Sequence, residues 1–390
     1  MTIGFSTRLV LSGCALCTMG LLALAPAAAA VRARPPDPGP AAGPRAVAPQ
    51  AGLLYRSGTQ VRPRPGAPEL PDVSALSWVV ADAGTGQVLA AHDAHRPLPP
   101  ASTLKTLFAL TVLPVLPGGV RHEVLPEELA DVGPGSSLVG VAEGRTYRVA
   151  DLWNGVFLNS GNDAVHVLAA LSGGWREAAA RMQDKARSLG ARDTHVRSPD
   201  GYDAPGQVSS AFDLAVFGRA GLRNPDFARY CARAAAVFPG AGGSAYPIEN
   251  TNRLLTGTDG VSAYPGLVGV KNGYTSGAGH TLVAAARRDG RTLVVTVMNP
   301  QEGGAFAVYE EARSLLDWGF GSAGRVDPVG SLDGPRERSR PGPAAEPVAA
   351  SSAGDGPGWA ATGAVTAAAG LGAGGVALVL RRVVRRPWDE

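Results

Sequence analysis

Lysine is nearly missing from this chain. Of its 36 basic residues only Lys105, Lys185 and Lys271 are lysine, and the other 33 are arginine. Arginine keeps its proton inside a protein, whereas a desolvated lysine can lose it and act as a base. A sequence that uses arginine wherever positive charge is needed makes each lysine worth reading separately. Cysteine is scarce as well. Cys14 and Cys17 lie in an apolar N-terminal run and Cys231 stands alone, which excludes a disulfide framework or a cysteine metal site in a mature protein. The six histidines (His92, His95, His122, His166, His195 and His280) show no ligand spacing, so no metal or other cofactor is expected. Formal net charge is only +3 and no dense basic stripe occurs, so nucleic acid finds no support as a partner. A Gly-x-Ser-x-Gly elbow and a His-Glu-x-x-His pair are both absent, which removes two common hydrolase designs.

What is present divides the chain. Residues 1–30 read as a secretory signal: Arg8, an apolar run from Leu9 to Leu24, and the small residues Ala28-Ala29-Ala30. The apolar run before Cys14 is too short for a lipoprotein signal. Residues 31–72 and 327–358 are rich in Pro with no sustained periodicity, and read as disordered spacers. Between them lies one domain, 73–326. Residues 359–380 form an uncharged apolar segment of bilayer length, followed at once by Arg381, Arg382, Arg385 and Arg386. Cationic flanks stay on the cytoplasmic side. The expectation is an exported protein held in the membrane by a C-terminal helix, with 381–390 as a short cytoplasmic tail.

Within the domain, Ala75–Asp82 and Gln87–Ala91 flank a Gly-rich turn and read as a hairpin. A helix follows Pro99-Pro100, with Leu104, Leu107, Phe108 and Leu110 on one buried side. Residues 149–189 are helical with a break at Asn159-Ser160-Gly161-Asn162, and Lys185 falls on a solvated face. Gly266–Gly273 reads as a strand, His280–Ala286 and Arg291–Val297 as a hairpin about Asp289-Gly290, and Phe306–Trp318 as a closing helix. Strands at both ends with helices between imply an α+β fold: a mainly antiparallel sheet flanked by helices, with a helical subdomain inserted.

Ser102 and Lys105 stand three apart at the start of the first helix, a spacing that brings the two side chains together. The positive end of a helix disfavours an ammonium and favours the neutral amine, and a hydroxyl beside a neutral amine is an acylatable nucleophile. Ser102-Thr103-Leu104-Lys105, Ser160-Gly161-Asn162 and Lys271-Asn272-Gly273, in this order, resemble the three elements of the serine penicillin-recognising enzymes. Further stretches are similar to one branch, the low-molecular-mass D-alanyl-D-alanine carboxypeptidases of the β-lactamase/transpeptidase-like superfamily. They include Leu98–Lys105, Asn159–Ala164, Ser198–Ser210 and Asn252-Arg253-Leu254-Leu255, within a resemblance spanning about Leu76 to Phe320.

The resemblance implies that Ser102 attacks the bond between the last two D-alanines of a peptidoglycan stem peptide, with Lys105 as base and β-lactams as inhibitors. It implies that Ser160 relays a proton to the departing D-alanine and that the Asn162 amide holds Lys105 and meets the substrate. The N–H groups of Ser102 and Tyr274 would form the oxyanion hole. Gly273 would let substrate approach the strand, and Lys271 and Arg253 would attract the terminal carboxylate. Asn272 departs from the family's threonine; its amide also donates a hydrogen bond, but from a longer, planar side chain. Three alternatives stay open: a D,D-endopeptidase using the same residues, a catalytically weak wall-binding homologue, and a β-lactamase. The last requires a water-activating carboxylate in a Glu-x-x-Leu-Asn context after Ser160, and no such sequence follows.

Overall fold

The computed structural model describes residues 52–333. The chain enters through β1 (Thr59–Val61) and makes the hairpin β2 (Ser77–Asp82) and β3 (Gln87–His92). It then leaves the sheet for helices α1 (Lys105–Val112), α2 (Pro126–Leu129), α3 (Val149–Leu158), α4 (Asn162–Leu171), α5 (Trp175–Ser188), α6 (Ala211–Leu222) and α7 (Pro225–Cys231). Two small antiparallel strand pairs, β4 (Arg121–Glu123) with β5 (Thr146–Arg148) and β6 (Ala235–Pro239) with β7 (Ala245–Glu249), belong to this excursion. After α8 (Arg253–Thr256) the chain returns as β8 (Leu267–Thr275), β9 (Gly279–Arg288) and β10 (Arg291–Met298), then α9 (Ala307–Gly321) and β11 (Gly330–Ser331). The sheet runs β1-β3-β2-β10-β9-β8, antiparallel at every pairing, with β11 also on β3.

Alternation along the central strands explains the layering. In β2, Val79 and Ala81 join the core on the helical side, while Trp78 and Val80 join the core beneath α9. In β10, Val294 and Met298 face the first core, and Leu293, Val295 and Val297 the second. Side chains of a strand point alternately to opposite faces, so strands that are apolar at every position must be covered on both. Helix α9 covers one face through Val308, Tyr309, Ala312, Leu315 and Leu316; α1 and α6 cover the other. The turn of the β9–β10 hairpin holds Asp289 (φ 50°) and Gly290 (φ 75°), the left-handed pair that an Asp-Gly turn supplies. The α+β architecture anticipated from the sequence is present.

Three expectations are corrected. Residues 52–72 are not a spacer: β1 pairs with β3, Arg64 Nε donates to Asp327 Oδ1 at 2.8 Å, and Trp318 Nε1 donates to the Pro68 carbonyl at 3.2 Å. Residues 327–333 also belong to the domain, through β11 and through Arg219 Nη1, which donates to Asp333 Oδ1 at 2.7 Å. Both flanks cover the outer side of β3, which would otherwise be an open sheet edge. Third, α1 is buried all round rather than on one side, because it runs between the sheet and the helical subdomain. The signal at 1–30, the remainder of both spacers, the apolar segment 359–380 and the tail 381–390 lie outside the described residues. No helix among the described residues is long and apolar enough to cross a membrane.

Candidate active site

Ser102 lies in a short 3-10 turn, Ala101–Leu104, that runs directly into α1 at Lys105. Its hydroxyl therefore does not cap the helix. Instead Lys105 Nζ donates to Ser102 Oγ at 2.8 Å. The turn is strained: Ala101 sits at φ 50°, a conformation that non-glycine residues rarely hold without support from their surroundings. That support is visible. Thr281 Oγ1 on β9 donates to the Pro100 carbonyl at 3.0 Å, and Gly201 (φ 82°) lies so close that a Cβ on it would stand 2.1 Å from the Ala101 oxygen.

Lys105 is 1% exposed. Besides the serine, its amine donates to the backbone carbonyl of Asp200 at 2.7 Å. Burial pulls its pKa down from 10.5 to about 8, against the opposing pull of the Asp200 and Asp163 carboxylates. Roughly a tenth of the amine is then neutral at pH 7, and more above it, as a base requires.

The second wall is the α3–α4 connection. Ser160 takes the left-handed conformation (φ 57°), and its buried hydroxyl has no hydrogen-bond partner among the described residues. Asn162 begins α4; its Nδ2 donates to Ser136 Oγ at 3.1 Å, and its Oδ1 is likewise unpartnered. The sequence-based expectation that Asn162 holds Lys105 is thus replaced: the Asp200 carbonyl does so. Asp163 fastens the 137–141 segment to this wall, its carboxylate accepting from the backbone N–H groups of Val139, Gly140 and Val141.

The third wall is β8, at the sheet edge. Lys271 is buried, and its Nζ donates to the Asn272 carbonyl at 2.8 Å. Burial, reinforced by the like charge of Lys105, holds its pKa well below the usual lysine value. Gly273 shares a strand face with Lys271, and a Cβ there would come within 2.7 Å of the Ser102 backbone nitrogen. Only glycine lets the strand lie this close to the nucleophile. Asn272 Oδ1 accepts from Thr251 Oγ1 at 3.1 Å, and the side chain also reaches the Tyr309 hydroxyl. The cleft enclosed by these walls has a volume of about 240 Å3, with Ser102, Asn162, Tyr202, Asp203 and Tyr274 on its lining.

Residues 64–302, more than half of the chain, match the D-alanyl-D-alanine carboxypeptidase family of peptidases. The chain belongs to that family. It is 41% identical over 271 residues to D-alanyl-D-alanine carboxypeptidase DacB2 of Mycobacterium tuberculosis, covering 68% of this chain and 89% of that one. Against D-alanyl-D-alanine carboxypeptidase DacD of Escherichia coli it is 35% identical over 268 residues, covering 65% of each chain. A crystal structure of a D-alanyl-D-alanine carboxypeptidase from Mycobacterium tuberculosis superposes with a TM-score of 0.64 at 39% identity, covering 70% of this chain and all of that one. A variant of the Streptomyces K15 DD-transpeptidase gives 0.59 at 26% identity, over 64% of this chain and 99% of that one. The carboxypeptidase described here is thus a serine peptidase with the penicillin-binding fold.

Of the residues singled out from the sequence, Ser102 and Lys105 are in direct contact, and Gly273 packs against the nucleophile turn. Arg253 is engaged elsewhere. Its Nε donates to Asp259 Oδ2 at 2.8 Å, and its guanidinium stacks over Phe306 and Tyr309 at 4.9 and 5.7 Å. Lys185, on α5, makes no contribution to the carboxypeptidase's cleft. Sequence reading missed four participants: the Asp200 carbonyl, Ser136, Thr251 and the Tyr202-Asp203 pair. Tyr202 donates its hydroxyl to the Pro134 carbonyl at 2.9 Å, and Asp203 accepts from Thr275 Oγ1 at 2.7 Å and from the Gly277 N–H at 3.0 Å. One available signal was the Asp200-Gly201 turn, since Asp-Gly marks a position of positive φ.

Proposed function

We propose that this carboxypeptidase removes the terminal D-alanine from peptidoglycan stem pentapeptides through an acyl-enzyme on Ser102, and that β-lactams acylate the same hydroxyl. The observation that carries the reading is the 2.8 Å contact between Ser102 Oγ and a buried amine whose pKa burial has lowered to about 8. Neutral Lys105 takes the serine proton as Oγ attacks the carbonyl between the two D-alanines. The N–H groups of Ser102 and Tyr274 receive the oxyanion, a role favoured by the close approach of β8 to the turn. Ser160, whose hydroxyl has no other partner among the described residues, passes a proton to the leaving amine. Lys271 and the Asn272 amide receive the terminal carboxylate, and Asn162 meets the peptide backbone. Water then attacks the ester, with Lys105 again as base.

The same proposal places the catalytic domain outside the cytoplasmic membrane, facing the wall and tethered by 359–380. The apolar N-terminal run and the arginines after 380 support this. D-alanine release from a pentapeptide ending in D-Ala-D-Ala, with Ser102→Ala as control, tests the activity. Labelling with a fluorescent penicillin tests the acyl-enzyme. Label taken up only by the native sequence, without release of D-alanine, would favour the D,D-endopeptidase, and no label at all would favour a wall-binding homologue.

A further inference from the structure

We propose that Asp200 is a positioning residue that holds Lys105 with its backbone and sets the acid limb of acylation with its side-chain charge. This rests on the acylating role of Ser102 and Lys105 proposed above. The Asp200 carbonyl meets Lys105 Nζ at 2.7 Å, so the residue cannot move without moving the amine. Its own carboxylate is held otherwise: Oδ1 accepts from Ser198 Oγ at 2.6 Å and from the Tyr202 N–H at 3.0 Å. The residue is 5% exposed, so its charge is little screened by solvent. The loop around it is knotted by Gln207, whose Oε1 accepts from the Ser198 N–H at 2.8 Å and whose Nε2 donates to the Tyr202 carbonyl at 2.6 Å.

The arrangement places a negative charge beside the base without the ion pair that would lock the lysine as an ammonium. The other charged or titratable groups acting on Lys105 are Asp163 and His166 from α4 and Lys271 from β8. Asp163 is committed to backbone N–H groups of the 139–141 segment, and Lys271 carries the opposite sign. Asp200 is the larger of the two anionic influences on Lys105.

The sign of the effect follows. Removing the Asp200 charge makes the ammonium less favourable, so the neutral base forms at lower pH. Acylation should therefore extend into acid, the reverse of what loss of a general base would do.

The test is the second-order rate of acylation by a fluorescent penicillin between pH 5 and 10, for the native chain, Asp200→Asn and Asp200→Ser. Both variants should move the acid-side midpoint down by about one pH unit, the lower end of what one nearby charge does. Ser198→Ala, which keeps the charge, should leave the midpoint in place and lower the plateau. Because the chain has three lysines, lysine labelled at Cε gives three resonances, and Lys105→Arg assigns the relevant one. Its titration midpoint should fall in Asp200→Asn as the rate midpoint does. A His166→Gln control should not reproduce the shift. A midpoint unmoved in both Asp200 variants overturns this inference alone. Absence of acylation in the native chain at every pH overturns the proposed function instead.

Discussion

Two places in this molecule bring groups of like charge together, and they settle the conflict differently. In the cleft, Lys105 and Lys271 are both buried, and neither has a carboxylate within salt-bridge distance among the described residues. Around them, Ser160 Oγ and Asn162 Oδ1 are left without partners among the described residues. Beside α6, the half-buried Asp193 and the buried Asp213 lie together. Asp213 Oδ2 accepts from Thr194 Oγ1 at 2.7 Å and from the Asp193 N–H at 2.8 Å. Asp193 Oδ2 accepts from Ser210 Oγ and lies 2.7 Å from His95 Nδ1, whose ring stacks on Tyr55 at 4.1 Å. Burial first, and Asp193 second, push the Asp213 carboxyl up to about 7. The carboxylate cluster is tied down by hydroxyl, backbone and imidazole groups, with one buried oxygen, Asp213 Oδ1, unpartnered among the described residues. The other keeps polar atoms unsatisfied where a substrate's carbonyl, amine and carboxylate would meet them, so the comparison separates a structural use of buried charge from a chemical one.

The largest effect expected is from Ser102→Ala, which should abolish penicillin labelling and D-alanine release without lowering the melting temperature. Lys105→Arg keeps the charge and removes the base; it should reduce acylation about 10²- to 10⁴-fold, measured as the second-order rate constant. Gly273→Ala should impair both acylation and turnover, because its Cβ would force β8 away from the Ser102 nitrogen; acylation at the native rate would show that the strand can give way. In the native chain the acylation rate should rise with pH through about 8, as Lys105 loses its proton.

The carboxylate cluster should answer in stability, not rate. Because Asp213 is pushed up to about 7 from 3.8, the folded state binds the proton more tightly than the unfolded state. Its contribution is fully present below about pH 4 and is lost as pH rises through 7. Between pH 5 and 8 the native chain should lose melting temperature, and Asp213→Asn should flatten that slope while leaving the acylation midpoint unchanged.

The smallest effects concern Asn272. Thr251→Val removes the donor to its Oδ1 and leaves the Tyr309 hydroxyl as the remaining contact; KM for a substrate with a free terminal carboxylate should rise a few-fold with kcat little changed. Asn272→Thr should alter turnover by a factor of the same order, since both side chains donate one hydrogen bond and only its geometry changes.

Much of this was legible in the residues. The β9–β10 hairpin about Asp289-Gly290 and the edge strand carrying Lys271 follow from alternation and turn chemistry. The Ser102–Lys105 contact follows from spacing, although it is made across a 3-10 turn rather than within one α-helix. What escaped had physical reasons. β1 and β11 are three and two residues long, too short for any periodicity to show. The partner of Lys105 is a backbone carbonyl, and every residue has one, so residue type gave no clue to Asp200. Thr251 became visible only when α8 was brought beside β8.

The sheet order has a practical corollary. β1 and β11 both pair with β3, while β8 forms the opposite edge. Four strand spacings separate β3 from β8, roughly 20 Å. Peptide can therefore be offered to the working edge while both ends of the domain are held from behind, and the same layout suits immobilisation. A chip or bead coupled through either terminal segment would present the cleft outward, which makes the domain a ready capture surface for β-lactams in solution.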